Sequence, residues 1–140
     1  MKTHYENEFL DAISELSGAR NNLIFLHVNC KGEQFYTIHK LTEEYYKKIA
    51  DDLDYVLELY VISTHKDAPN LNSLSSSFII DNVYLTDSVG SVITTIEYIV
   101  EALKCLRDVL DESANITKID EMLEYWIKQC RFILPKMTQL

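Results

Sequence analysis

Five side chains between His27 and Glu58 carry the types and spacing that could do chemistry: His27, His39, Glu43, Asp54 and Glu58. His39 and Glu43 are four apart, as are Asp54 and Glu58, so on a helix each pair lies one turn apart on one side. Imidazole nitrogens mixed with carboxylate oxygens suit iron better than structural zinc or calcium. Three carboxylates brought together would repel and raise one another's pKa values. A bound iron ion reverses that argument by keeping its ligands deprotonated, and carboxylates favour the ferric product, so oxygen or peroxide chemistry at ferrous iron is the reaction implied. Blander roles exist for each residue: His27 and His39 as half-buried histidines with local hydrogen bonds, Glu43 beside Glu44 as a solvated face. Asp54 is harder to explain that way. It borders Ala50, Leu53 and Leu57, where a buried carboxylate requires a cation or a metal as partner.

The elements that must position these residues read as long helices. Phe9, Ala12, Ile13, Leu16, Ala19, Leu23, Leu26 and Cys30 recur at three and four, predicting a first helix over about 5–31, with Gly32 as a left-handed cap. Phe35, Ile38, Leu41, Tyr45, Ile49, Ala50, Leu53, Leu57, Tyr60 and Val61 predict a second over about 34–62, antiparallel to the first. Residues 63–73 break the pattern around Pro69, and Leu74 to Asp81 could form a two-turn helix within a connection of over twenty residues. A connection that long can cross a four-helix bundle diagonally. Thr86 or Asp87 would cap a third helix over about 87–111, in which Gly90 permits close approach of a neighbouring backbone. Residues 111–115 form a turn, and Asn115, or Thr117 with Asp120 as an imperfect capping box, starts a fourth helix reaching about Pro135. The fold class expected is all-α: a ferritin-like four-helix bundle with a short extra helix in the long crossover between helices two and three, as a single domain over 1–140.

Composition agrees with this and excludes several functions. Hydrophobic residues make up 47% and charged residues 25%, with 3 glycines and 2 prolines, which favours long helices over many strands. The formal charge of -9 is spread over both halves with no basic cluster, so binding to a nucleic-acid backbone is not expected. Cys30, Cys105 and Cys130 are widely spaced, mostly within apolar helical patterns, and read as core thiols. No apolar run is long enough to span a membrane, and the chain is expected to be soluble and cytoplasmic.

Ferritin-like bundles usually build a diiron centre inside one subunit from two glutamates and two Glu-x-x-His motifs. Here the residue three before His39 is Tyr36 and three before His65 is Ile62, so that arrangement is excluded. The segment from Leu26 through His27, Val28, Asn29, Cys30, Lys31 and Gly32 to His39, continuing to Glu43, Asp54 and Glu58, resembles the signature of the Dps family, the miniferritins also called DNA-protection proteins from starved cells. The likeness extends over essentially the whole chain and weakens after Asp111. It implies twelve subunits in a hollow shell, with iron sites at two-fold interfaces: His27, His39 and Glu43 from one subunit, Asp54 and Glu58 from its partner. It also implies ferroxidase activity toward Fe(II), with hydrogen peroxide or dioxygen as oxidant, storage of ferric mineral, and protection against oxidative stress.

Two positions depart from the family pattern: Glu43 stands where aspartate is usual, and Val28 where tryptophan is common. Tyr36, Tyr45, Tyr46 and Trp126 are candidate electron donors. The family's acidic three-fold pores suggest Asp111, Glu112, Asp120 and Glu121, with Asn115 a polar neighbour. DNA binding is not expected despite the family name, because the chain begins Met-Lys-Thr-His-Tyr-Glu-Asn-Glu and lacks a basic tail. A metal-sequestering cage with weak ferroxidase activity, and a helical interaction protein without metal, are the competing readings.

Overall fold

The computed structural model describes residues 3–74, 87–110 and 114–139. Four long helices dominate: α1 (Thr3–Asn29), α2 (Phe35–Thr64), α3 (Ser88–Val109) and α4 (Ala114–Lys128). No strand occurs among the described residues. The expected periodicities account for the core. Phe9, Ile13, Leu16, Leu23 and Leu26 of α1 meet Ile38, Tyr45, Ile49 and Val56 of α2, and α3 and α4 add Val92, Ile96, Ile99, Leu103, Ile119 and Trp126, all without exposed surface. α1 packs along both α2 and α3, and α3 along α4, while α2 and α3 barely touch. These two consecutive helices are therefore diagonal in the bundle, which is why the connection between them has to be long.

Between α1 and α2 the chain reverses within five residues, and Gly32 makes this feasible at φ +93°. Its carbonyl accepts the Phe35 N–H at 3.1 Å, so the turn feeds directly into α2. A side chain here would meet nothing within 4 Å, and the constraint is therefore purely one of backbone conformation. Gly32→Ala is expected to cost about 1–2 kcal/mol, the penalty of a left-handed L-residue, and Gly32→Asn less. Urea-denaturation midpoints of the two variants would check that order.

Several boundaries differ from the sequence expectation. α2 runs on to Thr64 and closes at His65, whose φ of 59° is left-handed and whose N–H reaches the Val61 carbonyl at 3.0 Å. Phe35, Ala50 and Val61, placed in the apolar stripe of α2, are exposed, whereas Val56 and Leu59 are buried. Leu71–Ser73 form a single 3₁₀ turn capped by Asn70, whose side chain accepts the Asn72 N–H at 3.0 Å. The short helix expected over Leu74–Asp81 lies almost wholly outside the described residues, as does Thr86.

Asp87 does cap α3, accepting the Gly90 N–H at 2.9 Å. Gly90 serves a purpose other than the one expected. A Cβ there would strike the Asp87 carboxyl, with its Cγ at 2.8 Å, so glycine makes room for the cap's own side chain and not for a neighbouring backbone. Because α4 is already helical at Ala114, Asn115 and Thr117 lie within it and not at its cap. The helix then widens into a π segment, Gln129–Ile133, before a last turn at Leu134–Met137. Pro135 explains the widening: it has no N–H to donate, and its ring would press on the carbonyl one turn back.

Candidate metal centre

His27 comes from the last turns of α1 and His39 from the first turns of α2, brought together by the Gly32 turn. Each ring is held by the other's backbone: His27 Nδ1–H donates to the His39 carbonyl at 2.7 Å, and His39 Nδ1–H donates to the His27 carbonyl at 2.9 Å. A carbonyl only accepts, so Nδ1 carries the hydrogen on both rings. In the neutral imidazole Nε2 then keeps its lone pair, the state needed of a metal ligand. The Thr42 hydroxyl, 3.2 Å from His27 Nδ1, donates to the Ile38 carbonyl at 2.6 Å and supports the same arrangement from inside α2.

The two imidazoles are stacked, with centroids 3.9 Å apart and planes 20° from parallel. Lone pairs lie in the ring planes, and planes so nearly parallel do not meet within a metal–nitrogen bond of about 2.0–2.1 Å. In this stacked arrangement the two rings do not aim at one point as a pincer would. Aromatic rings enclose the pair: Phe35 is stacked on His39 at 5.4 Å, and Tyr46 meets His27 edge-on at 5.4 Å. Val28, by contrast, is exposed. The aromatic neighbours thus come from α2, Tyr46 among the tyrosines singled out from the sequence and Phe35 not, and none comes from the position after His27.

Glu43 lies one turn beyond His39 and is half exposed, with Lys47 Nζ 2.9 Å from its Oε1. That hydrogen bond, the Lys47 charge and, more weakly, the two histidines hold its carboxyl below the usual range, against a small opposing effect of burial. Glu43 is consequently ionised and available as an oxygen ligand once Lys47 yields. Asp54 and Glu58 are both exposed on the single chain. This corrects the expectation that Asp54 is buried and needs a partner there. The buried carboxylate of α2 is Asp52, 3% exposed, which accepts the Trp126 indole N–H at 2.8 Å and is paired with Lys48.

Fifteen residues separate Asp54 from His39, about 22 Å along the helix axis. Among the described residues no three His, Cys, Asp or Glu side chains of one chain converge as a metal site. The chain carries a pair of imidazoles near one end of α2 and the Asp54 and Glu58 carboxylates toward the other.

The candidate pore residues are partly described. Asp111 and Glu112 lie outside the described residues. Asp120 is engaged in a two-pronged ion pair with Arg107, its Oδ2 3.3 Å from Nη2, while Glu121 is exposed. Asn115 accepts the Tyr55 hydroxyl at 3.0 Å. Among the described residues no helix is long and apolar enough to cross a membrane.

No protein-family pattern matches the chain, and no curated protein matches it by sequence. The crystal structure of a Dps protein from Bacillus brevis does match, over 99% of this chain and 100% of that one, with a TM-score of 0.80 at 21% identity. The chain has the Dps fold. Coverage of nearly the whole of both chains means that the likeness spans the four long helices and is not confined to one pair of them. At that identity the Dps likeness speaks for architecture, and the chemistry has to be argued from the side chains described above.

Proposed function

We propose that this chain is a miniferritin: ferrous iron is its substrate, oxidised by hydrogen peroxide or dioxygen at a site shared between two subunits and kept as ferric mineral inside a dodecameric shell in the cytoplasm, protecting against oxidative stress. The observation that carries this reading is the histidine pair, with both Nδ1 atoms committed to backbone carbonyls and both Nε2 atoms left for metal, on a half-site that the same chain's Asp54 and Glu58 do not reach.

The surface of α2 supports a two-fold arrangement. About a point between Lys48 and Ile49, His39 mirrors Glu58, Glu43 mirrors Asp54, Phe35 mirrors Ile62 and Tyr36 mirrors Val61. All four of those apolar or aromatic residues are exposed on the single chain, Tyr36 and Ile62 by 67% and 69%. An antiparallel second copy of α2 laid on this face would cover apolar groups at both ends. It would also bring one chain's imidazoles to the other's carboxylates, twice. Such a self-complementary surface is what a two-fold interface requires.

At each site the proposed balance is two ferrous ions and one peroxide, with two protons, giving two ferric ions and two waters. Three carboxylates and two neutral imidazoles would stabilise the ferric product, and Lys47 would have to release Glu43 as iron enters. Lys47 and Glu43 are exposed and their one-turn ion pair is weak and solvent-screened, so that release is no obstacle to oxidation. Light scattering on the purified protein, then anaerobic titration with Fe(II) and stopped-flow mixing with peroxide, tests the whole reading. A dodecamer with saturable iron binding and rapid oxidation is expected. A small particle that binds no iron would overturn it in favour of a helical interaction protein, and slow oxidation after tight binding would point to the sequestering cage.

A further inference from the structure

We infer that the cleft between α1 and α3 receives the basic end of α4 from a second copy of this chain, with Phe132 as the side chain it holds. The inference goes beyond the reading above, because it concerns a surface that neither the histidine pair nor the outer face of α2 includes.

The cleft has a volume of about 230 Å³, room for one large side chain and not for a helix. Ala12 and Ala102 form its buried floor, where larger residues would close the gap, and the exposed Tyr98 ring stands at its wall. Glu8, Asp11 and Glu15 of α1 and Glu101 of α3 surround this apolar floor, and among the described residues no basic side chain lines it. The Cys105 thiol, also in the lining, registers the field: burial first, then the carboxylates of Glu101, Glu8 and Asp108, push it up from its ordinary range.

The end of α4 carries the opposite pattern. After Glu124 the sequence has Lys128, Arg131 and Lys136 and no acidic residue, in a chain whose formal charge is -9. Phe132 adjoins Arg131 and lies four residues from both Lys128 and Lys136, so an exposed ring is flanked by three exposed cations. An aromatic anchor entering an apolar cleft, with opposite charges around both, joins the two features by which interfaces gain affinity and select their partner.

One chain cannot make this contact with itself. The Gln34 side chain donates to the Thr138 carbonyl at 3.0 Å, which fixes the end of α4 beside the turn between α1 and α2. The cleft begins at Glu15, fourteen residues before Asn29 at that end of α1, or about 21 Å along the axis. Cleft and anchor are thus different parts of the surface, and a contact between copies is heterologous, closing into a ring where the rotation allows. The outer face of α2 is self-complementary and joins chains only in pairs. A contact of this second kind is what would extend pairs into a shell.

The test uses the full chain free of iron. Phe132→Cys, oxidised with diamide, is expected to give chains joined by a disulfide between native Cys105 and the thiol introduced at position 132, identified by peptide mass. Adding Cys105→Ser should abolish that product. Glu101→Lys and Arg131→Glu, both at exposed positions, are each expected to raise the protein concentration needed for assembly by about tenfold or more, and the two together to restore it. Light scattering over a dilution series reads this, with circular dichroism checking helix content; should either reversal lose helix, the disulfide alone decides. No disulfide, one that survives Cys105→Ser, or charge reversals that leave assembly unchanged or add to one another would overturn the inference. The iron reading would stand apart from any of these results, since Fe(II) titration and oxidation test it separately.

Discussion

Protein carrying His27→Ala and His39→Ala, refolded together with protein carrying Asp54→Ala and Glu58→Ala, is expected to regain iron oxidation that neither has alone. Each double variant by itself should lose more than about 100-fold in rate, since even groups behind the metal ligands are commonly worth 10- to 100-fold. In a two-fold pair of unlike chains, one site inherits all four lesions and the other inherits none. Equal mixing makes about half of the pairs unlike, so about a quarter of the wild-type sites should return. Stopped-flow oxidation of Fe(II), read against the mixing ratio, checks this and should peak at equal proportions. If all five ligands were meant to act within one chain, no mixture would recover anything. Zero recovery from a mixture shown to assemble would remove the shared site.

Much of the architecture could be read from spacing alone, because long helices with few glycines leave the hydrophobic period as the dominant signal. Every residue of the predicted α1 stripe from Phe9 to Cys30 is buried, and Asp87 and Gly32 act where their chemistry predicts. The phase of α2 was less legible. It has apolar residues on two faces, one for the bundle and one left exposed on the single chain, so Phe35 and Val61 were indistinguishable by period from Ile38 and Val56. The same ambiguity put the buried carboxylate at Asp54 instead of Asp52. Spacing also named both histidines without revealing how they are held. The reciprocal bonds to backbone carbonyls and the stacking arise from how closely α1 and α2 approach, which no linear pattern encodes. The Arg107–Asp120 ion pair was hidden for a similar reason, since it joins α3 to α4.

Trp126→Ala is expected to destabilise the fold by about 3–5 kcal/mol, the range for deleting a large buried aromatic. Trp126 has no exposed surface, meets Tyr125 at right angles at 4.9 Å and Tyr45 at 5.7 Å, and donates its indole N–H to Asp52. Trp126→Phe keeps most of the volume but removes a donor from a buried carboxylate, and should cost about 1–3 kcal/mol. Thermal melts at fixed protein concentration should fall in that order, by on the order of 10 °C or more for Trp126→Ala. The anchor also bears on the metal centre through the rotation of α2. Successive helical residues turn by about 100°, so holding Asp52 inside the bundle sends Asp54, about 200° further round, to the outer face. Trp126→Phe, in which Lys48 still holds Asp52, is therefore expected to melt earlier yet bind Fe(II) with unchanged stoichiometry. A melting temperature for Trp126→Ala equal to wild type would show that this contact does not set the register of α2, and iron binding lost in the milder Trp126→Phe would show that its role extends beyond anchoring.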